Sequence, residues 1–173
     1  MEYQDCVRAA QAAGDPLDIG AGLHPFDANI NPETGLATDY LNRFNEAIML
    51  LDMMSACPEF RDDFLAWKPM SYREHFRSSH SATRELAIAA YETADPNVRS
   101  SLDTLAVTMT VVLEATRAAM AGNLKPETMS TLATKAVGWL KPLIARAGAI
   151  INGDEEVTHA PSPQAVVDKL MRR

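Results

Sequence analysis

The sequence predicts an all-α fold: a bundle of about four long helices with short extra helices and a long irregular segment near the N-terminus. Three observations lead there. Apolar residues recur at steps of three and four over several stretches, the signature of a buried helical face. Aromatic residues make up only 6% of the chain, alanine and methionine are plentiful and β-branched runs are few, a bias toward helix over strand. Strong capping signals open several of the periodic stretches, and short connections between them imply antiparallel neighbours.

The elements follow in order. A short helix is expected over Glu2–Ala13, stopped by Gly14. Residues 15–38 carry Pro16, Pro25, Pro32, Gly20, Gly22 and Gly35 and form a long irregular segment. Such a length without regular structure is unusual inside a compact domain and marks a functional or a mobile region. Its apolar residues, among them Leu23, Phe26, Ile30 and Leu36, predict that it lies pinned across the helices. Thr38 or Asp39 can cap the next helix, in which Leu41, Phe44, Ile48 and Leu51 share one face. Ala47, Met49, Leu50, Met53 and Met54 widen that stripe until the second half is apolar almost all round, as in a central or interfacial helix.

Pro58 begins a short helix carrying Phe60, Phe64 and Trp67, and Lys68-Pro69 stops it. Ser71-Tyr72-Arg73-Glu74 fits a capping box, and the helix it opens is expected to reach about Thr93, with a bend near Ser78–Ser81. Asp95-Pro96 starts the clearest helix, in which Val98, Leu102, Leu105, Met109 and Val112 step by four and three. Val107, Val111 and Ala118 make a second, semi-apolar strip on another side. Pro126 opens the last long helix, packed through Met129, Leu132, Ala133, Ala136, Val137 and Leu140, with a kink or break expected at Pro142. One domain over residues 1–151 is expected, then a polar linker and a short C-terminal helix within 152–173.

Charge is uneven along the chain. The net formal charge is −7, and residues 1–63 hold 12 acids against 3 bases while residues 64–151 hold 10 bases against 7 acids. An acidic chain without a basic cluster does not suit general duplex binding, which needs many phosphate contacts, so no nucleic acid is expected as partner. Two cysteines, Cys6 and Cys57, are too few for a disulfide framework or a Cys-rich zinc site. No apolar run approaches the length that spans a bilayer, and the first residues lack the apolar core of a secretory signal. The expected setting is cytoplasmic, with no membrane partner.

The most distinctive polar feature is a cationic stripe. Arg73, Arg77, His80 and Arg84 fall at offsets zero, four, seven and eleven, which on one helix is a single face. Three guanidiniums in a row can bind phosphate or carboxylate. The plainer expectation is a solvated face neutralised by neighbouring acids. Asp27-Ala28-Asn29-Ile30-Asn31 has the D-x-N-x-N spacing that opens a calcium loop, but Pro32 stands where the loop needs glycine and Thr38 where it needs glutamate. A series of Asx turns leading into Asn31-Pro32 accounts for it better.

No catalytic set stands out. The chain has no G-x-S-x-G elbow and no Gly-rich phosphate loop, and its one Glu-x-x-His, Glu156–His159, lies in the polar tail. No metal site and no cofactor are expected. Two functions remain. The first is a non-enzymatic helical interaction or regulatory module that self-associates through the Leu50–Met54 or Val107–Ala118 surfaces, or meets another protein there. The second is a small-ligand or anion-binding protein, the one form in which an enzyme is conceivable, whose site joins the arginine stripe to the 15–38 segment.

Overall fold

A computed structural model of the chain describes residues 29–54, 56–80 and 83–154. The expected helix at Glu2–Ala13, the first part of the 15–38 segment and the C-terminal helix lie outside those residues. The described part is all-α. A 3-10 turn, Thr38–Leu41, leads into α1 (Asn42–Met53), followed by α2 (Phe60–Ala66), α3 (Tyr72–Ser78), α4 (Arg84–Thr93), α5 (Pro96–Met120) and α6 (Pro126–Asn152). Among the described residues, extended pairing is limited to one isolated antiparallel bridge between Ile30 and Ala37.

Local chemistry sets the boundaries. Ser71 and Glu74 make the expected capping box: the Ser71 hydroxyl accepts from the Glu74 N–H at 3.3 Å, and the Glu74 carboxylate accepts from the Ser71 N–H at 2.8 Å. That bond, made mainly with the Ser71 backbone, holds the Glu74 carboxyl below its ordinary range. The Asp95 side chain accepts from the N–H groups of Asn97 and Val98, with Pro96 preset for the first turn of α5. Gly153 closes α6 in the left-handed conformation, φ 79°.

The core is built on α5 and α6, which pack most extensively on each other, with α1 laid against α6 and α2 bridging α1 and α5. Met109, Leu102 and Leu113 of α5 are fully buried and Leu105 is buried beside them, in one hydrophobic cluster with Ala133, Ala136 and Leu140 of α6. The α3–α4 pair is shorter and joins the cluster from the side of the 3-10 turn.

Three expectations change. The helix expected from Ser71 to Thr93 is two helices: the backbone leaves α3 at Ser79 (ψ 148°), and α4 begins at Arg84. The Ser78 hydroxyl donates to the His75 carbonyl at 2.9 Å, the kind of local side-chain bond that competes with helix continuation. Of the kink or break expected at Pro142, the break does not occur: α6 runs continuous through it. Its neighbours Leu140, Ala147, Ile150 and Ile151 are buried, and that burial carries the helix past the lost hydrogen bond. Lastly, Leu50, Leu51 and Met54 are buried within this chain, so the apolar Leu50–Met54 surface is mostly internal, and the neighbouring Met49 is the large apolar side chain left exposed beside it.

The irregular segment is pinned, as far as it is described. Asn31 makes an Asx turn, its side-chain oxygen accepting from the N–H groups of Glu33 (2.8 Å) and Thr34 (3.2 Å). Thr34 is buried, and its hydroxyl donates to the Ile151 carbonyl at 2.6 Å, tying the segment to the last turn of α6. At Gly35, φ is +68° and a Cβ would stand 3.0 Å from the Ala90 carbonyl oxygen, so both conformation and space favour glycine. No described helix is long and apolar enough to cross a membrane.

Candidate functional site

A groove of about 800 Å³ runs between one face of α5 and the wall made by residues 69–74 with Tyr91. Its α5 side carries Asp103, Ala106, Val107, Thr110, Val111 and Glu114, steps of three and four that keep them on one face. Its base is aromatic. Three of the four tyrosines of the chain, Tyr40, Tyr72 and Tyr91, converge there from the 3-10 turn, α3 and α4. Tyr72 and Tyr91 stack at 4.4 Å with 16° between ring planes, and Tyr40 lies 5.1 Å from Tyr72.

Each hydroxyl is engaged. The Tyr40 hydroxyl donates to the Met70 carbonyl at 3.1 Å, and the Tyr72 oxygen accepts from the Ala37 N–H at 2.9 Å. The Tyr91 hydroxyl lies 2.8 Å from both carboxylate oxygens of Asp103. Burial pushes the Tyr40 and Tyr72 phenols well above their ordinary range. The Asp103 charge adds to the effect at Tyr40, while the Ala37 N–H opposes it at Tyr72. Burial, followed by the bond to Asp103, raises Tyr91 to about 12. None of the three is poised to move a proton near neutral pH.

Arg99, Arg73 and Glu74 of the groove are likewise committed to structure. One guanidinium nitrogen of Arg99 donates to the carbonyls of Tyr91 (3.3 Å) and Glu92 (3.0 Å), capping the end of α4, and its head lies 5.5 Å from the Tyr91 ring centre. Arg73 pairs with Glu92 at 3.2 Å, and Glu74 serves the capping box. Beside them stand Glu114, 4.0 Å from Arg117, and two exposed apolar side chains, Val107 and Val111, 63% and 59% exposed.

The cationic stripe is dispersed by the break after α3. Arg73 and Arg77 lie one turn apart on α3, His80 lies beyond its end, and Arg84 is the first residue of α4, so the four do not share one helical face. All four are exposed. Only Arg73 lines the groove. Arg84 approaches Glu85 at 3.9 Å, and no carboxylate among the described residues is within ion-pair distance of Arg77. The D-x-N-x-N run is described only from Asn29 on. There, Asn29 donates to the Asp39 carboxylate at 2.9 Å, and Asn31 spends its side-chain oxygen on the Asx turn. Among the described residues no three His, Cys, Asp or Glu side chains gather as a metal site would require.

Sequence reasoning missed the tyrosine cluster, because Tyr40, Tyr72 and Tyr91 sit on three separate elements and share no spacing. It also missed His75, whose half-buried ring lies against Tyr40 (5.8 Å) and Phe76 (4.9 Å). Burial lowers the His75 pKa, helped by Arg43 and opposed by Asp39. Comparison with known proteins adds no relative: no family model matches the chain, and neither does any curated protein or solved structure.

Proposed function

We propose that this chain is a non-enzymatic helical interaction module that self-associates, with the exposed face of α5 as its contact surface. One observation carries the reading. Val107 and Val111 stand more than half exposed on the rim of the groove, while Tyr91, Asp103, Arg99 and Arg73 beside them are bonded within the chain. Apolar side chains grouped at a groove rim favour an interface, where their burial is gained on association. The engaged tyrosines and arginines give no nucleophile, base or anion clamp in the same place.

Light scattering of the full chain at micromolar concentration tests this. The expected result is a mass above the monomer, and Val111→Asp should return it to the monomer with helicity unchanged, since the residue is exposed. A monomeric wild-type chain would overturn the reading. The alternative, a small anionic ligand held by Arg73, Arg77, His80 and Arg84, draws its support mainly from the unpaired Arg77. It would require phosphate binding that weakens in an Arg73→Gln, Arg77→Gln variant.

A further inference from the structure

The outer surface of α5 is patterned more regularly than a chance apolar patch. Ser100, Thr104, Val107, Val111, Glu114 and Ala118 step by four, three, four, three and four, and every one of them is exposed. That is a heptad seam, the 3.5-residue repeat on which two helices pair side by side, running opposite the stripe that packs on α6. Asp103 and Arg117 flank it on one side, fourteen residues apart.

Resting on the self-association proposed above, we infer that the partner is a second copy of this chain whose α5 lies antiparallel, with the two-fold axis passing between Val107 and Val111. The argument is one of complementarity. In that register Val107 packs on Val111 of the second copy, twice by symmetry, at the centre of the seam. Thr104 then faces Glu114, and Ser100 faces Ala118, so each polar layer is mixed. Asp103 of each copy, besides accepting from its own Tyr91, comes between Glu114 and Arg117 of the other, so each Arg117 is set against carboxylates of both copies. Arg117 has capacity for this: one guanidinium nitrogen donates to the Trp67 carbonyl at 2.6 Å, while the other reaches Glu114 only at 4.0 Å. A parallel pairing would stack Glu114 on Glu114 inside the seam, two like charges in one layer, with no attractive pair to offset them. The pattern therefore selects direction as well as surface.

The test uses two exposed substitutions in the full chain, Val107→Lys and Val111→Asp. Each alone places an unpaired charge against valine, and each should weaken association by at least about tenfold. Mixed in equal amounts they should recover a dimer by sedimentation, because only the antiparallel register sets the introduced ammonium of one variant against the introduced carboxylate of the other. Circular dichroism of each variant checks that the fold is intact. If both variants are monomeric and the mixture stays monomeric, the antiparallel register is overturned while self-association through α5 stands. If neither substitution disturbs the wild-type dimer, α5 is not the contact. If the wild-type chain is itself a monomer, the functional reading fails with it.

Discussion

At the scale of the residue, two buried polar contacts offer direct tests. The Thr34 hydroxyl satisfies the Ile151 carbonyl, one of the terminal acceptors that a helix cannot satisfy itself. Thr34→Val keeps the shape, removes the donor and strands that carbonyl in a buried setting, so a loss of about 1–3 kcal/mol is expected in denaturant unfolding. A loss near zero would mean that water reaches the site. Tyr91 gives a pH dependence. Its pKa rises from 10.0 to about 12 on folding, so the unfolded chain loses this proton first as pH rises. The contribution is complete below pH 10 and is lost as pH climbs to about 12, with the still higher Tyr40 and Tyr72 acting in the same direction. Thermal melts should therefore fall steeply above pH 10, and Tyr91→Phe should flatten part of that fall.

At the scale of the element, α5 and α6 carry the stability. Leu105 is buried beside the fully buried Met109, and Leu105→Ala should cost about 2–5 kcal/mol through lost transfer energy and the cavity left behind. A loss below about 1 kcal/mol would show that the core lies elsewhere. Pro142 is exposed in the interior of a continuous α6, where it removes one helical hydrogen bond and crowds the carbonyl of Gly138. Pro142→Ala should raise the melting temperature, by an equivalent of up to about 3 kcal/mol on the propensity scale. A fall would mean that a bend at Pro142 is needed for the packing of Leu140 and Ala147.

For the whole molecule, the packing around the α5–α6 hairpin explains the shape of the surface. α6 and α2 cover the inner side of α5, and the α3–α4 pair meets it through Tyr91, Arg99 and Asp103, leaving the Val107–Val111 side uncovered. If a second copy covers it, folding and association are linked, and the melting temperature should rise with protein concentration over the micromolar range. Val111→Asp should abolish that dependence while leaving the melting temperature at high dilution unchanged. A concentration-independent melt of the wild-type chain would count against the dimer.

Taken by itself, the sequence determined what depends on near neighbours along the chain. The all-α class, the capping box at Ser71, the Asp95-Pro96 start, the Asx turn at Asn31 and the buried Leu105–Met109 stripe all follow from residues within a turn or two of each other. Packing decided the rest. Whether Pro142 broke its helix depended on the burial of Leu140 and Ala147, which local propensity cannot weigh. The serines after Arg77 left the choice between bend and break to tertiary contacts, and the break scattered the arginine stripe. The Leu50–Met54 face and the Val107–Val111 strip look alike as sequence, both being apolar beyond one stripe. Only the fold buried the first and left the second exposed, because burial is settled by which elements meet and not by the residues of one helix alone.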